Sequence, residues 1–244
     1  IAARRYTARH VLVATGGRPV RPDIPGAALA ITSDEAFQLA ELPRRVLIVG
    51  GGYIGVEFGG IFHGLGVEVT IAYRGEQILR GFDDDVRHHL HDELVRRGLD
   101  VRLQCDLRSI ERRDDGSLAT TLVTRGAPQQ LEVDAVMFAT GRQPVTAGLG
   151  LEAAGVQLDA HGGVIVDEYS RTSVPHIYAV GDVTNRVALT PVAIREGAAV
   201  ATTLFGGRHV AIDHRDVPHA VFSQPPIGTV GLSEAAAAAA YETV

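Results

Sequence analysis

The sequence predicts an α/β chain built on a doubly wound parallel sheet, and three observations predict it. A fully apolar strand at 46–49 runs into three glycines and then a helix. Strand and helix patterns continue to alternate up to residue 139, the order of a parallel sheet covered by its crossover elements. Two apolar segments, VLVATG at 11–16 and VMFATG at 136–141, stop at the same Thr-Gly turn. That likeness points to two related domains rather than a short-period repeat.

Taken in order, residues 9–15 (RHVLVAT) read as a buried strand closed by Gly16 and Gly17. Pro19, Pro22 and Pro25 make the next stretch extended, a crossing between domains. Thr32, Ser33 and Asp34 offer N-caps for a short helix through Leu42. After Pro43, residues 46–49 (VLIV) have the unbroken apolar character of a strand buried on both faces. Gly50 to Gly52 form a tight turn, 53–65 a helix, and 67–73 (VEVTIAY) a second strand. Asp83 caps a helix that runs to Arg97 and is ended by Gly98. A third strand covers 99–105, the Asp115–Gly116 pair marks a hairpin turn, and 133–139 (VDAVMFA) is the last strand of the unit. Beyond Pro144 the composition changes. Residues 177–183 (IYAVGDV) form a strand ending in a Gly-Asp turn, followed by an apolar helix at 191–205. From about Asp213 a third style of sequence begins, with an alanine helix at 235–240 capped by Ser233.

The 244 residues suffice for one large domain or two smaller ones, and 45% hydrophobic with 21% charged residues is ordinary globular composition. A formal net charge of −6 without a basic stripe argues against a nucleic-acid partner. No apolar run approaches the roughly 20 residues of a membrane span, and no signal-peptide pattern is visible. One cysteine, Cys105, excludes an internal disulfide framework and favours a reducing compartment, hence a cytoplasmic protein. Cys105 itself reads as a small core residue. His88, His89 and His91 cluster on one helix, but the charged residues around them indicate a solvated face, so no metal site is expected.

Gly50, Gly52 and Gly55 fit G-x-G-x-x-G, with a strand before, a helix after and a second strand in register. This defines a Rossmann-type dinucleotide-binding domain. Gly50 allows the tight turn, Gly52 the approach of the pyrophosphate, and Gly55 the packing of helix on sheet. The helix N-terminus presents free N–H groups to the phosphates. The tip of the second strand decides the dinucleotide. NAD enzymes usually place a carboxylate there, whereas this chain has Tyr73, then Arg74, with Arg80 six positions on and Glu76 inside the loop. Two guanidinium forks suit a 2′-phosphate. Each charge-assisted contact is worth ~1.5–3 kcal/mol, a preference of roughly ten- to a hundredfold. NADPH is therefore expected. The bland alternative is a pair of solvated surface arginines, and the all-glycine motif ending at Gly55 pulls towards NAD.

The run IVGGGYIGVEFGGIFHGLGVEVTIAYRGEQILRGFD resembles the NADPH domain of the flavin-dependent disulfide reductases. So do YTARHVLVATGGRP, ATGRQP, IYAVGDV with ALTPVAI, and VFSQPPIGTVGLSE, in the family's order and over nearly the whole chain. The arginine pair and AITSD (30–34) resemble the glutathione reductase branch of that family. The resemblance implies a three-layer NADPH-binding domain at 18–142, inserted in a partial FAD-binding domain at 1–17 and 143–212. It implies that 213–244 opens an α+β dimerisation domain, so that the full-length enzyme is a homodimer.

The resemblance also implies site residues. Tyr53 is similar to the gate that covers the flavin until nicotinamide displaces it, and Glu57 to the carboxylate that holds the nicotinamide amide. Glycines 50, 52 and 55, with Ile54 between them, match the pyrophosphate loop, and Arg74 and Arg80 the 2′-phosphate clamp. Gly75 replaces a polar residue, which implies a weaker clamp. Gly141 and Arg142 match residues beside the bound nucleotide, and Thr15 and Gly16 a flavin-side turn. Asp182 resembles the acid that bonds the FAD ribityl chain, with Leu189 and Thr190 near the isoalloxazine.

The departures are as informative. The family's first FAD-binding glycine motif, its C-x-x-x-x-C disulfide and its His-Glu acid–base pair are absent from these residues. No catalytic residue is therefore expected in this chain, which reads as the central section of a larger oxidoreductase. The whole enzyme is expected to pass hydride from NADPH through flavin to a cysteine pair and then to glutathione disulfide, a role in redox homeostasis. The alternatives are a trypanothione, glutathione amide, mercuric or dihydrolipoamide type of flavin disulfide reductase, or a non-catalytic NADP-binding module.

Overall fold

The computed structural model describes residues 4–242. Residues 45–49, with their neighbours in space, show why the sequence pattern is so apolar. Strand Arg45–Val49 lies between Glu68–Tyr73 and Ala135–Phe138, and Asp100–Leu103 flanks Glu68–Tyr73 on the other side, all four parallel. Alternate residues of the strand face opposite cores. Val46 and Ile48 pack with Val56, Phe62, Leu90 and Leu94 from the helices Tyr53–Gly64 and Asp84–Arg96. Leu47 and Val49 pack with Leu107, Ile110 and Leu122 from an antiparallel three-stranded sheet. The three layers are thus helix, parallel sheet and antiparallel sheet, which is the Rossmann-type α/β architecture expected from the sequence.

Local signals account for most boundaries. Gly52 opens the helix Tyr53–Gly64 without a side-chain cap, and Asp83 caps Asp84–Arg96 by accepting from the Asp85 N–H at 3.2 Å. Gly98, at φ 104°, turns the chain out of that helix. The hairpin expected at Asp115–Gly116 joins strands Cys105–Arg112 and Leu118–Thr124, and Ala127–Val133 completes the small sheet. Asp134 ties this sheet to the parallel one. Its carboxylate accepts from the backbone N–H of Arg44 and Arg45 and from the Arg45 side chain, at 2.9–3.0 Å. The Arg45 guanidinium, first of all, holds the Asp134 carboxyl below its ordinary pKa.

Three expectations are corrected here. The helix foreseen from Ser33 through Leu42 is one turn, Ser33–Ala36. Thr32 and Glu35 form a capping box at its start, but Phe37 ends it, ring edge-on to Phe58 at 5.3 Å. The strand foreseen at 99–105 is two strands. Gln104, at φ 51°, breaks it, so that Asp100–Leu103 stays in the parallel sheet while Cys105–Arg112 enters the antiparallel one. Cys105 is buried in the second core, as expected. The strand foreseen as buried at 9–15 is Val11–Val13, with Val11 41% and Leu12 50% exposed. Its one pairing among the described residues is with Ile177–Ala179, and only Val13 joins the core around Leu151, Val156 and Val164.

Of the described residues, those up to 18 with 142–215 form one compact unit, and 19–141 with those from 216 onward form the other. The segment read from the sequence as the start of a third domain packs in the second unit. Val221, in the hairpin His219–Val221 and Ile227–Thr229, enters the core of the two helices, and the Glu234 N–H donates to Asp83 at 2.8 Å. Ser233 caps the helix Glu234–Ala240, as expected. In the first unit the helix Thr190–Phe205 starts with Pro191, which suits a first turn because no N–H is needed there.

Candidate functional site

The glycine turn is shaped by contacts that leave no room for a side chain. A Cβ on Gly50, at φ 130°, would lie 2.2 Å from the Ala139 carbonyl oxygen. One on Gly55 would lie 2.2 Å from the Gly50 oxygen, which is how the helix comes so close to the sheet. Gly52 is different, because nothing lies within 4 Å of where its Cβ would be. That open space sits over the uncapped N-terminus of Tyr53–Gly64, where backbone N–H groups and the helix dipole favour an anion. The turn therefore fits a dinucleotide pyrophosphate. Tyr53 is partly exposed at this end, and Ile54 packs on the helix-side core.

The loop after the second strand carries both arginines. Gln77, Ile78 and Leu79 are buried as a plug, while Arg74 and Arg80 are exposed on either side of it. Neither guanidinium makes an ion pair within 4 Å among the described residues, and Glu76 is exposed. Leu79, at φ 52°, donates its N–H to the Gly51 oxygen at 2.7 Å and so ties this loop to the glycine turn. Gly75 has a steric reason. Its Cβ would lie 2.5 Å from Tyr73 Cε1, and a Cβ on Gly51 would lie 2.5 Å from Tyr73 Cγ. The Tyr73 ring fills the space beside both glycines, so a side chain at 75 would have to displace that ring.

Glu57 lies one turn into the glycine-turn helix. Its Oε1 accepts from the Phe222 N–H at 2.9 Å, which fixes the carboxylate and leaves Oε2 for a ligand donor. Gly141, at φ 119°, accepts from the Val20 N–H at 2.9 Å.

In the first unit, Thr15 donates its hydroxyl to the Val145 oxygen at 2.7 Å, and Gly16, at φ 70°, accepts from the Val145 N–H at 2.9 Å. Asp182 is the second residue of the short turn Gly181–Thr184 just past the C-terminal end of strand Ile177–Ala179, half-buried. Arg142 belongs to this unit, its Nε 3.9 Å from Asp182 Oδ2 and its Nη2 donating to the Gly17 oxygen. Leu189 is the N-cap of Thr190–Phe205, with Thr190 exposed as its first residue. Asp182, beside the turn of Thr15 and Gly16, is an acceptor at a strand's end and fits a ligand hydroxyl.

One residue of this region escaped the sequence reading. Glu196 is 1% exposed, and its Oε2 accepts from the Gly181 N–H at 2.7 Å. Its Oε1 lies 2.8 Å from Arg186 Nη2 and 2.7 Å from His214 Nε2. Burial, against the attraction of Glu196, lowers the Arg186 pKa. The carboxylate thus holds the Gly-Asp turn from behind. The signal was present, because Glu196 completes the buried spacing of Val192, Ala199 and Val200 on its helix. The histidines 88 and 89 are exposed, as expected, whereas His91 is half-buried, with its Nδ1 3.6 Å from Asp92 Oδ1. Asp83, Asp85 and Glu234 bring carboxylate oxygens together, a mostly exposed group whose Asp83 is already engaged by backbone N–H groups.

Residues 2–197 match the family described as pyridine nucleotide-disulphide oxidoreductase, and the chain belongs to it. Among its relatives, a glutathione reductase of Burkholderia cepacia is 57% identical over 100% of this chain and 54% of its own length. A trypanothione reductase of Trypanosoma congolense is 50% identical over 98% of this chain and 49% of its own. The chain therefore spans about half the length of these curated relatives. Among solved structures it is similar to the HOCl-induced flavoprotein disulfide reductase RclA from Escherichia coli. That match has a TM-score of 0.87 and 33% identity over 94% of this chain and 53% of that one. No helix among the described residues is long and apolar enough to cross a membrane.

Proposed function

We propose that the chain is the nucleotide-binding centre of an NADPH- and FAD-dependent disulfide reductase acting on glutathione disulfide. The observation that carries the cofactor choice is the pair of exposed guanidiniums, Arg74 and Arg80, without carboxylate partners among the described residues, on the loop tied to the glycine turn. Residues 18–142 would form the NADPH domain, 1–17 with 143–212 part of the FAD domain, and 213–244 the start of the dimerisation domain of a cytoplasmic homodimer. Bound NADPH and flavin would supply hydride transfer, and a cysteine pair outside this sequence would pass two electrons to the disulfide. Here the glycine turn holds the pyrophosphate, and Arg74 and Arg80 hold the 2′-phosphate. Glu57 takes the nicotinamide amide through Oε2, with Tyr53 beside it and Gly141 and Arg142 near the nucleotide. Thr15, Gly16, Asp182, Leu189 and Thr190 line the flavin.

The test is a comparison of NADPH and NADH in the full-length protein, together with its flavin content. A strong preference for NADPH and one flavin per chain are expected. Equal affinity for the two nucleotides overturns the cofactor assignment, and a flavin-free protein leaves only a non-catalytic NADP-binding module. The similarity to trypanothione reductases supports a second substrate reading. Faster NADPH oxidation with trypanothione disulfide than with glutathione disulfide would replace the first reading by the second.

A further inference from the structure

Both 2′-phosphate arginines depend on a loop whose middle is buried, and that middle leaves two carbonyl oxygens to be satisfied. Gln77 and Ile78 are 7% and 0% exposed, so an unpaired carbonyl there is costly. Arg87, in the first turn of the helix Asp84–Arg96, meets both. Its Nε donates to the Ile78 oxygen at 2.8 Å, and its Nη2 donates to the Gln77 oxygen at 3.0 Å. Its Nη1 pairs with Asp84 on the same helix. The guanidinium is mostly covered and gives a different nitrogen to each of the three groups. A lysine cannot reproduce that planar geometry.

We propose that Arg87 is a positioning residue for cofactor specificity. It locks the plug between Arg74 and Arg80, and so sets the spacing of the two guanidiniums and their distance from the glycine turn. The chain of contacts is continuous. Arg87 holds Gln77 and Ile78, and Leu79 bonds the Gly51 oxygen. On the other rim, Gly75 accepts from the Gln104 N–H at 2.9 Å, and the Tyr73 ring lies against Gly75 and Gly51. Without Arg87 the two carbonyls seek water, the plug loosens, and the arginines lose their common geometry. A cofactor lacking the 2′-phosphate has no stake in that geometry.

The proposal rests on the reading of Arg74 and Arg80 as the 2′-phosphate clamp, and the experiment separates the two. KM and kcat for NADPH and for NADH are measured in the full-length enzyme for Arg74→Ala, Arg87→Ala, Arg87→Lys and Asp84→Ala. Arg87→Ala is expected to raise KM for NADPH about tenfold, the worth of roughly one charge-assisted hydrogen bond. KM for NADH and both kcat values stay within about twofold, because only a contact specific to the 2′-phosphate is disturbed. Arg87→Lys, which keeps the charge, falls between the parent and Arg87→Ala. Asp84→Ala removes the ion pair, keeps both carbonyl bonds and leaves the ratio unchanged. A merely structural role would raise KM for both cofactors together, and that result overturns the proposal. So does a parental NADPH-to-NADH ratio in Arg87→Ala, or in Arg87→Lys should the alanine variant not fold, while Arg74→Ala collapses the ratio. A parental ratio in Arg74→Ala removes the clamp reading itself, and the proposal with it.

Discussion

In the first unit the strand Val11–Val13 leads to Thr15 and Gly16, and in the second the strand Ala135–Phe138 leads to Thr140 and Gly141. Each turn makes the same two bonds. Thr15 donates to the Val145 oxygen and Thr140 to the Val20 oxygen, both at 2.7 Å. Gly16 accepts from the Val145 N–H and Gly141 from the Val20 N–H, both at 2.9 Å. The strands themselves differ. Val136, Met137 and Phe138 are buried between two cores, whereas Val11 and Leu12 are half-exposed. The repeated V-x-x-A-T-G thus encodes a turn and its partner bonds, and the burial of the strand before it is decided by what packs on its two faces.

One methyl group added to each unit probes this difference most strongly. In the second unit, Gly55→Ala meets backbone 2.2 Å away and is expected to destabilise by about 3 kcal/mol, the upper range of overpacking. In the first, Gly16→Ala meets nothing within 4 Å and costs about 1 kcal/mol, for the left-handed backbone alone. Denaturant unfolding of the two variants checks the order, and equal losses would erase the distinction between a tight and an open unit. Next in size is binding. Arg74→Ala with Arg80→Ala is expected to weaken NADPH binding by about a hundredfold and leave NADH unchanged, measured by calorimetry.

A smaller effect sharpens the comparison through pH. Asp134 braces the two sheets of the second unit, and its pKa is depressed in the folded protein. Its stabilisation is therefore complete above the unfolded-state value and is lost as pH falls through the lower folded-state value. Asp134→Asn is expected to cost about 1–2 kcal/mol at neutral pH and to flatten the acid limb of a stability profile. An unchanged limb would show that the brace contributes nothing. Smallest are the paired hydroxyls. Thr15→Val and Thr140→Val should each cost about 1 kcal/mol, and a clear inequality between them would break the equivalence of the two turns.

Much of this was legible because it is local. The glycine turn, the parallel strands and the Asp83 and Ser233 caps follow from spacing and residue type alone. The split at Gln104 was not legible, since apolar alternation reads the same in either sheet and only the positive φ separates them. Gly75 reads as a missing ligand because the Tyr73 ring, which occupies the space a side chain would take, is a three-dimensional fact. Glu196 was passed over because acids on helices usually face water. Its partners, Gly181, Arg186 and His214, lie 10 to 18 positions away in sequence, beyond the reach of a local pattern.

The bonds between Val20 and the Thr140–Gly141 turn have a consequence for chain architecture. They pin together the two ends of the stretch from Val20 to Gly141 within the second unit, so that stretch is a long loop with a fixed base. Loop-closure entropy grows only with the logarithm of length, so a longer or shorter stretch between those ends changes the cost of closing it little. Residues can be gained or lost inside it, in the surface hairpin at Asp115–Gly116 for instance, while the two bonds at its base stay as they are.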